Sequence, residues 1–369
     1  MLLFAMLGIL YMLKFKVEWR AYIMKKKVTI QDIADELGIS RNTVSKAINN
    51  SGGLAPATRE KIIQKAMEMD YKQFSYVKSL AGITSSGIDD STSATEYQGE
   101  IALLTGQFFN QSHFASLMLD KFQEELSSLG FTMNIHRVTE RNMSDLSLPV
   151  TFRKDQIKGI ICIEMFDRRY DDMLCTLDIP LLFVDGPSNA DGALLAADQL
   201  YMDNVSGILA FVKEMLKRGY RRFGFIGDFW HCQSFFERYC AYRLALMQFK
   251  VEIEDKFFIC SNGPYDESLN SLDELPEVFL CANDFVAIDA ISSLRDRGIS
   301  VPDDVLFCGF DDSHESRHML PTLTTIHIHT QIMAYEAVHL LMSRMKENSL
   351  DYRIVHTQTD LIYRASTKD

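Results

Sequence analysis

The chain has 369 residues, of which 47% are hydrophobic and 24% are charged. These values are ordinary for soluble globular protein, and the length predicts two or three domains and a large buried core. The seven cysteines form no C-x-x-C pair, which argues against a cysteine-rich metal site and favours free thiols in a reducing compartment.

The net charge of −12 is unevenly distributed along the chain. Residues 24–82 contain 10 Lys and Arg against 6 Asp and Glu, whereas residues 83–369 contain 25 against 43. A small basic unit attached to a large acidic body predicts that only one end of the protein contacts a polyanion.

Residues 1–23 begin with a 13-residue apolar run, "MLLFAMLGILYML", which is shorter than the roughly 20 residues that a membrane span needs. Lys14, Lys16 and Arg20 follow this run, whereas a signal peptide carries its positive charge before it. Met24 then opens "MKKKVTIQDIA". We interpret residues 1–23 as a start-site artefact or a disordered extension; a membrane anchor or a signal peptide are the alternatives.

Residues 29–69 predict three short helices. Thr29 can cap a helix over residues 30–37, and Gly38 supplies the left-handed residue that ends it. Ser40 can cap a second helix, and Pro56 suits the first turn of a third. Apolar residues recur at helical spacing, at Ile30, Ile33, Ala34, Leu37, Val44, Ala47, Ile48, Ile62, Ile63 and Ala66. Two short helices joined by a tight glycine turn are typical of a helix-turn-helix.

The second of these helices has a polar and basic face near its N-terminus, formed by Arg41, Asn42, Ser45 and Lys46. In a recognition helix this end meets base edges in the major groove, where Arg can pair with guanine and Asn with adenine. Hydroxyl and amide side chains suit phosphates, and we assign that role to Thr29, Ser40, Thr43, Ser45 and Asn49. The alternative is a small helical bundle with a solvated face.

From residue 98 onward, apolar runs alternate with amphipathic stretches. The predicted strands include "EIALLTG", "FTMNIHRV", "IKGIICIE", "IPLLFVDG", "FGFIG", "PEVFLCAN" and "DVLFCGFDD". Because helical patterns separate most of them, the sequence predicts parallel α/β sheets, and two such sheets fit the length.

Polar side chains follow three of these strands, at the edge where open α/β folds bind ligands. They are Asp185 in "FVDG", Asn283 and Asp284 in "CAND", and Asp311 and Asp312 in "GFDD". Carboxylates and amides there suit a polyhydroxylated ligand, with Arg238 as a further donor. For Asp284 and Asp312 we favour the alternative that they cap helices or turns.

Aromatic side chains near the same edge could stack on the apolar face of a sugar. The candidates are Phe108, Phe109, Phe114 and Trp230. A place in the core is the alternative for each phenylalanine.

Residues 314–318 read "HESRH", which matches the H-E-x-x-H zinc pattern. A zinc-peptidase helix must continue past both histidines, but Pro321 follows His318 closely, and no third ligand lies at a suitable spacing. We therefore expect no metal site, no catalytic residues and no cofactor.

The sequence "VTIQDIADELGISRNTVSKAINNSGGLAPATREKIIQKAMEMDY" resembles the headpiece of the lactose/galactose-repressor (LacI/GalR) family of bacterial transcription regulators. The resemblance continues in "LLFVDG", "SFFERYCAYRLAL", "VFLCANDFVAIDAISSLRDRGISVPDDVLFCGFDD" and "PTLTTIHI", and covers about residues 25–363. The chain departs from the family at residues 71–74, "YKQF", where the family usually has Tyr-x-Pro-Asn, and in a longer acidic segment at 84–99.

This resemblance implies an all-α helix-turn-helix headpiece and an α/β periplasmic-binding-protein-like (type I) two-lobed effector domain. We expect the headpiece at 24–73, a hinge and flexible linker at 74–98, and the effector and dimerisation domain at 99–369. The chain would cross between lobes near 188, 328 and 351. Lobe 1 would then comprise about 99–188 and 329–350, and lobe 2 about 189–328 and 351–369.

The resemblance also implies roles for individual residues. Arg41, Asn42 and Lys46 would read bases, and Leu80 and Ala81 in the hinge would enter the minor groove. The positions that match the family's effector contacts are Asp185, Arg238, Asn283 and Asp311.

We therefore expect a cytoplasmic homodimer that binds a palindromic double-stranded DNA operator and regulates transcription, with repression as the family's common mode. Its activity would be controlled by a small-molecule effector, which we expect to be a carbohydrate. A membrane-anchored sugar-binding receptor is the alternative from another class. A hydrolase would need a G-x-S-x-G, a P-loop or a metal set, and the sequence offers none of these.

Overall fold

The computed structural model describes residues 30–48, 55–69, 98–106, 113–260, 265–349 and 351–368. The predictions for residues 1–23, Thr29, Asn49, the hinge residues Leu80 and Ala81, and Phe108 and Phe109 lie outside these residues. The chain divides into two compact units, residues 1–92 and 93–369.

The first unit contains three helices, α1 (Ile30–Leu37), α2 (Arg41–Ile48) and α3 (Pro56–Glu68). The helices begin and end where the sequence predicts, because Gly38 has a φ of +64° and Pro56 is the first residue of α3. Ser40 caps α2, since its Oγ accepts a hydrogen bond of 3.1 Å from the amide of Thr43. The predicted apolar positions form the core of this unit: Ile33, Ala34, Val44, Ala47, Ile62, Ile63 and Ala66 are all buried.

The second unit contains two six-stranded sheets within the described residues. The strands are β1 (Gly99–Thr105), β2 (Phe131–Arg137), β3 (Ile157–Ile163), β4 (Leu181–Val184), β5 (Asp198–Met202), β6 (Phe223–Ile226), β7 (Phe258–Ile259), β8 (Val278–Cys281), β9 (Leu306–Asp311), β10 (Thr324–Ile328), β11 (Ile354–Thr357) and β12 (Thr359–Ile362). The α-helices between them are α4 (His113–Ser128), α5 (Glu140–Asp145), α6 (Arg168–Cys175), α7 (Ser206–Lys217), α8 (Gln233–Gln248), α9 (Tyr265–Asn270), α10 (Asp284–Asp296), α11 (His314–His318) and α12 (Thr330–Lys346).

The two sheets define two lobes. Lobe 1 has the strand order β11-β5-β4-β3-β1-β2, and lobe 2 has the order β12-β10-β9-β8-β6-β7. Neighbouring strands run parallel throughout except for β12, which is antiparallel to β10. Buried apolar side chains from the strands and the helices on them form the cores of both lobes. The parallel α/β architecture predicted from the sequence is therefore confirmed.

Two of the three predicted lobe crossings were wrong by several residues. The first crossing follows Met202 rather than residue 188, because β5 pairs with β4 and so belongs to lobe 1. The third lies at Gln358 rather than near 351, because β11 pairs with β5 in lobe 1 and β12 with β10 in lobe 2. The second crossing, between β10 and α12, lies where it was predicted.

The seven cysteines are all free thiols, and four of them are buried. None of the helices in the described ranges is both long enough and apolar enough to cross a membrane.

Candidate functional site

Two basic side chains of α2 face solvent, one from its first residue, Arg41, and one from its last turn, Lys46. Arg41 and Lys46 are both exposed, as a base-reading role requires. The hydroxyls of Ser40 and Thr43 bind one another at 2.8 Å, so Ser40 serves in the helix cap. The side chains of Asn42 and Ser45 lie outside the described part of the chain.

In the second unit, acidic residues follow three buried strands. Glu164 follows β3, Asp185 follows β4, and Asp311 is the last residue of β9. Glu164 and Asp185 are neighbours, because each comes directly after a register pair, Ile163 and Val184. The three acidic residues have φ angles of +50°, +52° and +112°, which non-glycine residues rarely adopt. Such backbone strain clusters at functional sites, so the strand ends are the place to look for one.

Arg238, on α8, reaches this strand-end region with its side chain almost fully buried. Its Nε donates to Asn204 Oδ1 at 2.9 Å, and its Nη1 donates to the Ala282 carbonyl at 2.7 Å. The same Nη1 lies 3.6 Å from Asp311 Oδ1, and the guanidinium carbon lies 3.6 Å from the centroid of the Phe310 ring. The arginine is therefore fixed in position before any ligand arrives.

The carboxyl groups around Arg238 have unusual proton affinities. Burial raises the pKa of Asp185 to about 6, although the charge of Arg238 opposes the rise. Burial also raises the pKa of Asp311 well above its ordinary value, and the charges of Asp284, Glu164 and Asp185 add to the effect. A carboxylate accepts hydrogen bonds and a protonated carboxyl group can also donate one, so either form suits hydroxyl groups on a ligand.

The other predicted effector residues are not part of the group around Arg238. Asn283 caps α10, because its Oδ1 accepts a hydrogen bond of 2.9 Å from the amide of Val286. Trp230 is 61% exposed in the turn after β6 and contacts the ring of Phe229. Phe114 is partly buried and packs against the main core, which matches the alternative reading for phenylalanine at this position. A role in effector binding stays a prediction for all three.

Asp284 and Asp312 have structural roles, but they are not the helix caps that the alternative predicted, because Asn283 caps α10 and Ser313 caps α11. Asp284 accepts hydrogen bonds from Thr325 Oγ1 at 2.6 Å and from the amide of Ser313 at 2.7 Å. Asp312 is paired with the side chains of Arg317, His327 and Arg364.

Sequence reasoning missed the residues that join the two lobes beside the site. Gln233, the first residue of α8 in lobe 2, donates its backbone amide to the Gly186 carbonyl of lobe 1 at 3.0 Å. Its Oε1 accepts a hydrogen bond of 2.8 Å from the amide of Asn189, also in lobe 1. Glu164 was missed as well, although the rule that singled out Asp185 and Asp311, an acidic residue directly after a buried strand, applies to it.

The "HESRH" segment forms the five-residue helix α11, and Ser313 caps it. The rings of His314 and His318 stack at 4.1 Å, and His318 Nδ1 contacts the His314 carbonyl. Among the residues that the structure describes, no group of three or more His, Cys, Asp or Glu side chains could hold a metal ion.

Comparison with known proteins gives a family match for each of the two units. The family described as "Bacterial regulatory proteins, lacI family" matches residues 29–73, and the "Periplasmic binding protein-like domain" matches residues 212–367. The chain is similar to the HTH-type transcriptional repressor PurR of Histophilus somni, with 26% identity over 92% of this chain and 99% of the relative. It is 27% identical to PurR of Mannheimia succiniciproducens, over 92% of this chain and 98% of that one.

The chain belongs to the LacI/GalR family. It is therefore a DNA-binding transcriptional regulator and not an enzyme. The fold agrees with solved LacI-type structures. A complex of the regulator CelR with cellobiose has a TM-score of 0.62 and 22% identity, over 92% of this chain and all of that one. The lac repressor dimer bound to operator and the anti-inducer ONPF has a TM-score of 0.59 and 20% identity, over 93% of this chain and 99% of that one.

Proposed function

We propose that this LacI/GalR regulator is a cytoplasmic homodimer that represses transcription from a palindromic operator and whose DNA affinity is set by a carbohydrate. The observation that carries the effector assignment is the group formed by Arg238, Asp185 and Asp311 at the carboxyl ends of the strands, where the two lobes meet. DNA binding itself rests on the family and on the exposed Arg41 and Lys46.

The chemistry of the strand ends favours a polyhydroxylated ligand. Arg238 is a fixed donor, and the carboxyl oxygens of Asp185 and Asp311 are hydrogen-bond acceptors in the same group. The exposed ring of Trp230 would supply a stacking surface for a sugar ring, together with Phe109 and Phe114. Two similar regulators have been solved with sugars, CelR with cellobiose and a protein of Alkaliphilus metalliredigens with D-xylulofuranose.

Exposed apolar side chains in lobe 1 support the dimer. β2 is an edge strand of its sheet, and Ile135 on it is 47% exposed. Leu117 on the neighbouring helix α4 is 43% exposed. A second copy that covers this edge would bury both side chains, and a two-fold dimer would place two headpieces on the two halves of a palindrome. Leu80 and Ala81 would then enter the minor groove between the half-sites.

Fluorescence anisotropy on DNA from the protein's own upstream region tests the proposal. The protein starting at Met24 is titrated at fixed salt, because the electrostatic part of the affinity depends on salt, with and without a panel of sugars. Binding to a palindrome that one sugar weakens or strengthens supports the proposal. A folded dimer that binds no palindrome contradicts it and favours the sugar-receptor alternative. Membrane fractionation of the full chain against the Met24 form then shows whether residues 1–23 act as an anchor.

A further inference from the structure

Four polar side chains beside the effector site form one connected network of two hydrogen bonds and one ion pair. Its central member is Glu237, on α8. Its Oε2 accepts a hydrogen bond of 2.7 Å from Asn204 Nδ2, and its Oε1 accepts one of 3.0 Å from Gln233 Nε2. His356 Nε2 lies 3.6 Å from Glu237 Oε2.

Each partner of Glu237 leads to a different part of the molecule. Asn204, on the first crossing between the lobes, also accepts the hydrogen bond from Arg238 Nε at 2.9 Å. Gln233 reaches lobe 1 through the Gly186 carbonyl and the Asn189 amide, which follow Asp185 in the chain. His356 belongs to β11, just before the third crossing.

We propose that Gln233 and Glu237, here called the interlobe pair, couple the position of Arg238 to the contact between the two lobes. Glu237 is the positioning residue, because it holds Asn204 against Arg238 and Gln233 against lobe 1 at the same time. The inference rests on the proposed effector site, since it assigns that site a route by which ligand binding at Arg238 changes the lobe contact.

The energetics favour a coupled network over independent contacts. Asn204 is 1% exposed and Gln233 9%, so a polar group that lost its partner here would stay largely out of water. An unsatisfied buried group costs more free energy than a hydrogen bond gains, so moving one member of the network strains the others. A ligand that displaces the guanidinium of Arg238 would therefore also displace Asn204. Because Glu237 bonds both Asn204 and Gln233, the displacement would reach Gln233.

Hydrogen exchange of the Asn189 amide tests the inference without DNA or ligand. In Gln233→Ala the Asn189 amide loses its acceptor, and we expect its exchange to become about 3- to 10-fold faster. Glu237→Gln keeps the size of the side chain but places an NH2 group beside the donors of Asn204 and Gln233. We expect the exchange of the Asn189 amide to become about 2- to 5-fold faster in this variant. Gln248→Ala is the matched control, because Gln248 is the same residue type at the exposed C-terminal end of the same helix.

The coupling itself is tested by a substitution at the other end of the network. Arg238→Lys removes the Nε donor from Asn204, and we expect it to accelerate exchange at Asn189 by about 2- to 5-fold although it touches neither Asn189 nor Gln233. The Gly227 amide, bonded to the Ile259 carbonyl within lobe 2, serves as the internal reference for global stability.

Three outcomes would overturn the inference. If the exchange rate of the Asn189 amide is unchanged in Gln233→Ala, the Gln233 side chain does not hold the lobe contact. If the rate is unchanged in Arg238→Lys, Arg238 is not coupled to that contact. Equal acceleration in Gln248→Ala makes the effect non-specific. If Gln233→Ala also accelerates Gly227, the milder Glu237→Gln decides the same question. The exchange experiment uses neither DNA nor sugar. Its outcome is therefore independent of the outcome of the operator and sugar-binding experiment.

Discussion

Arg238 Nη1 lies 3.6 Å from Asp311 Oδ1, and the two side chains come from different elements of lobe 2, α8 and β9. The arginine is held by Asn204, which accepts from its Nε, and by the Ala282 carbonyl, which accepts from the same Nη1 that faces Asp311. Asp311 is held by its backbone, which follows a buried strand and turns with a φ of +112°. A donor and an acceptor are thus fixed side by side where a ligand hydroxyl could contact both.

We expect Arg238→Ala to weaken effector binding by at least about 10-fold, because a hydrogen bond to a charged group contributes about 1.5–3 kcal/mol. Asp311→Ala should weaken it by a similar factor, since it removes the carboxyl group that lies beside Arg238 Nη1. The measurement is isothermal titration calorimetry with the sugar that alters operator affinity. Arg243→Ala is the control, because Arg243 lies on the same helix but pairs with the exposed Asp255. Normal sugar binding by both site variants would mean that the effector binds elsewhere.

Arg41→Ala should weaken operator binding by about 1–3 kcal/mol and relax the preference for one base pair, because a base-reading arginine supplies both affinity and selectivity. Anisotropy on the operator and on its single-base variants measures both quantities. Lys61→Ala, an exposed lysine on α3, is the control for the loss of one positive charge. If the two variants lose affinity equally on every sequence, Arg41 contributes only charge.

The first unit could be predicted almost completely from the sequence, because its order depends on local signals. A helical period of apolar residues, a glycine with a φ of +64° and a capping serine specify α1, α2 and the turn between them. The core strands of the two sheets could be predicted equally well, since buried parallel strands are continuous apolar runs.

The lobe boundaries could not be predicted from the sequence, and Asp198 shows the physical reason. This residue begins β5, yet it is fully buried, because Arg344 and Arg353 both pair with its carboxylate. The two arginines follow it in sequence by 146 and 155 residues. A strand that opens with a charged residue reads as a loop unless those distant partners are known, so β5 was placed in the wrong lobe.

The site could be predicted in part. Asp185 and Asp311 follow from the rule that ligands bind at strand ends. The interlobe pair does not, because Gln233 and Glu237 resemble ordinary polar residues of an amphipathic helix. Only the fold brings them against Gly186, Asn189 and Asn204.

The contact between His356 and Glu237 should make the lobe contact depend on pH. The carboxylate of Glu237, 3.6 Å from His356 Nε2, raises the pKa of His356, and the charge of Asp203 adds to the rise; burial opposes it. The ring of Tyr201, on β5, lies tilted against the imidazole at a centroid distance of 5.6 Å and contributes no charge at neutral pH. A histidine whose pKa is raised by folding stabilises the folded state below its ordinary pKa of about 6.5, and this contribution is lost as the pH rises through the raised value.

We therefore expect the Asn189 amide to be best protected near pH 6 and to lose protection towards pH 8, after correction for intrinsic exchange. The pKa of Glu237 is lowered, because its hydrogen-bond donors outweigh burial, so its own contribution is lost only as the pH falls below about 4.5. His356→Gln should flatten the profile between pH 6 and 8. His318→Gln, at an exposed histidine on α11, should leave it unchanged. A wild-type profile that is already flat would show that His356 does not act on the contact.

Asp312 should matter for stability rather than for ligand binding. It is 4% exposed, and hydrogen bonds from His327, Arg317 and Arg364 lower its pKa to about 2 in spite of burial. A carboxylate with a lowered pKa stabilises the fold above its ordinary pKa, and this contribution is lost as the pH falls through about 2. Removing one partner of a buried ion pair costs about 3–5 kcal/mol when the remaining charge stays buried. The lower end applies here, because the side chain of Arg317 is 48% exposed and that of Arg364 is 17% exposed.

We expect Asp312→Asn to lower the free energy of unfolding by about 3 kcal/mol at pH 7, as measured by urea denaturation. The variant keeps the size of the side chain, and asparagine tolerates the φ of +57° at this position. The difference from the wild type should shrink as the pH falls from about 5 towards 2. Asp255→Asn is the control, because it breaks an exposed pair with Arg243 and should cost less than about 1 kcal/mol. Equal costs for the two variants would show that the four-membered charge cluster contributes no more than a single surface ion pair.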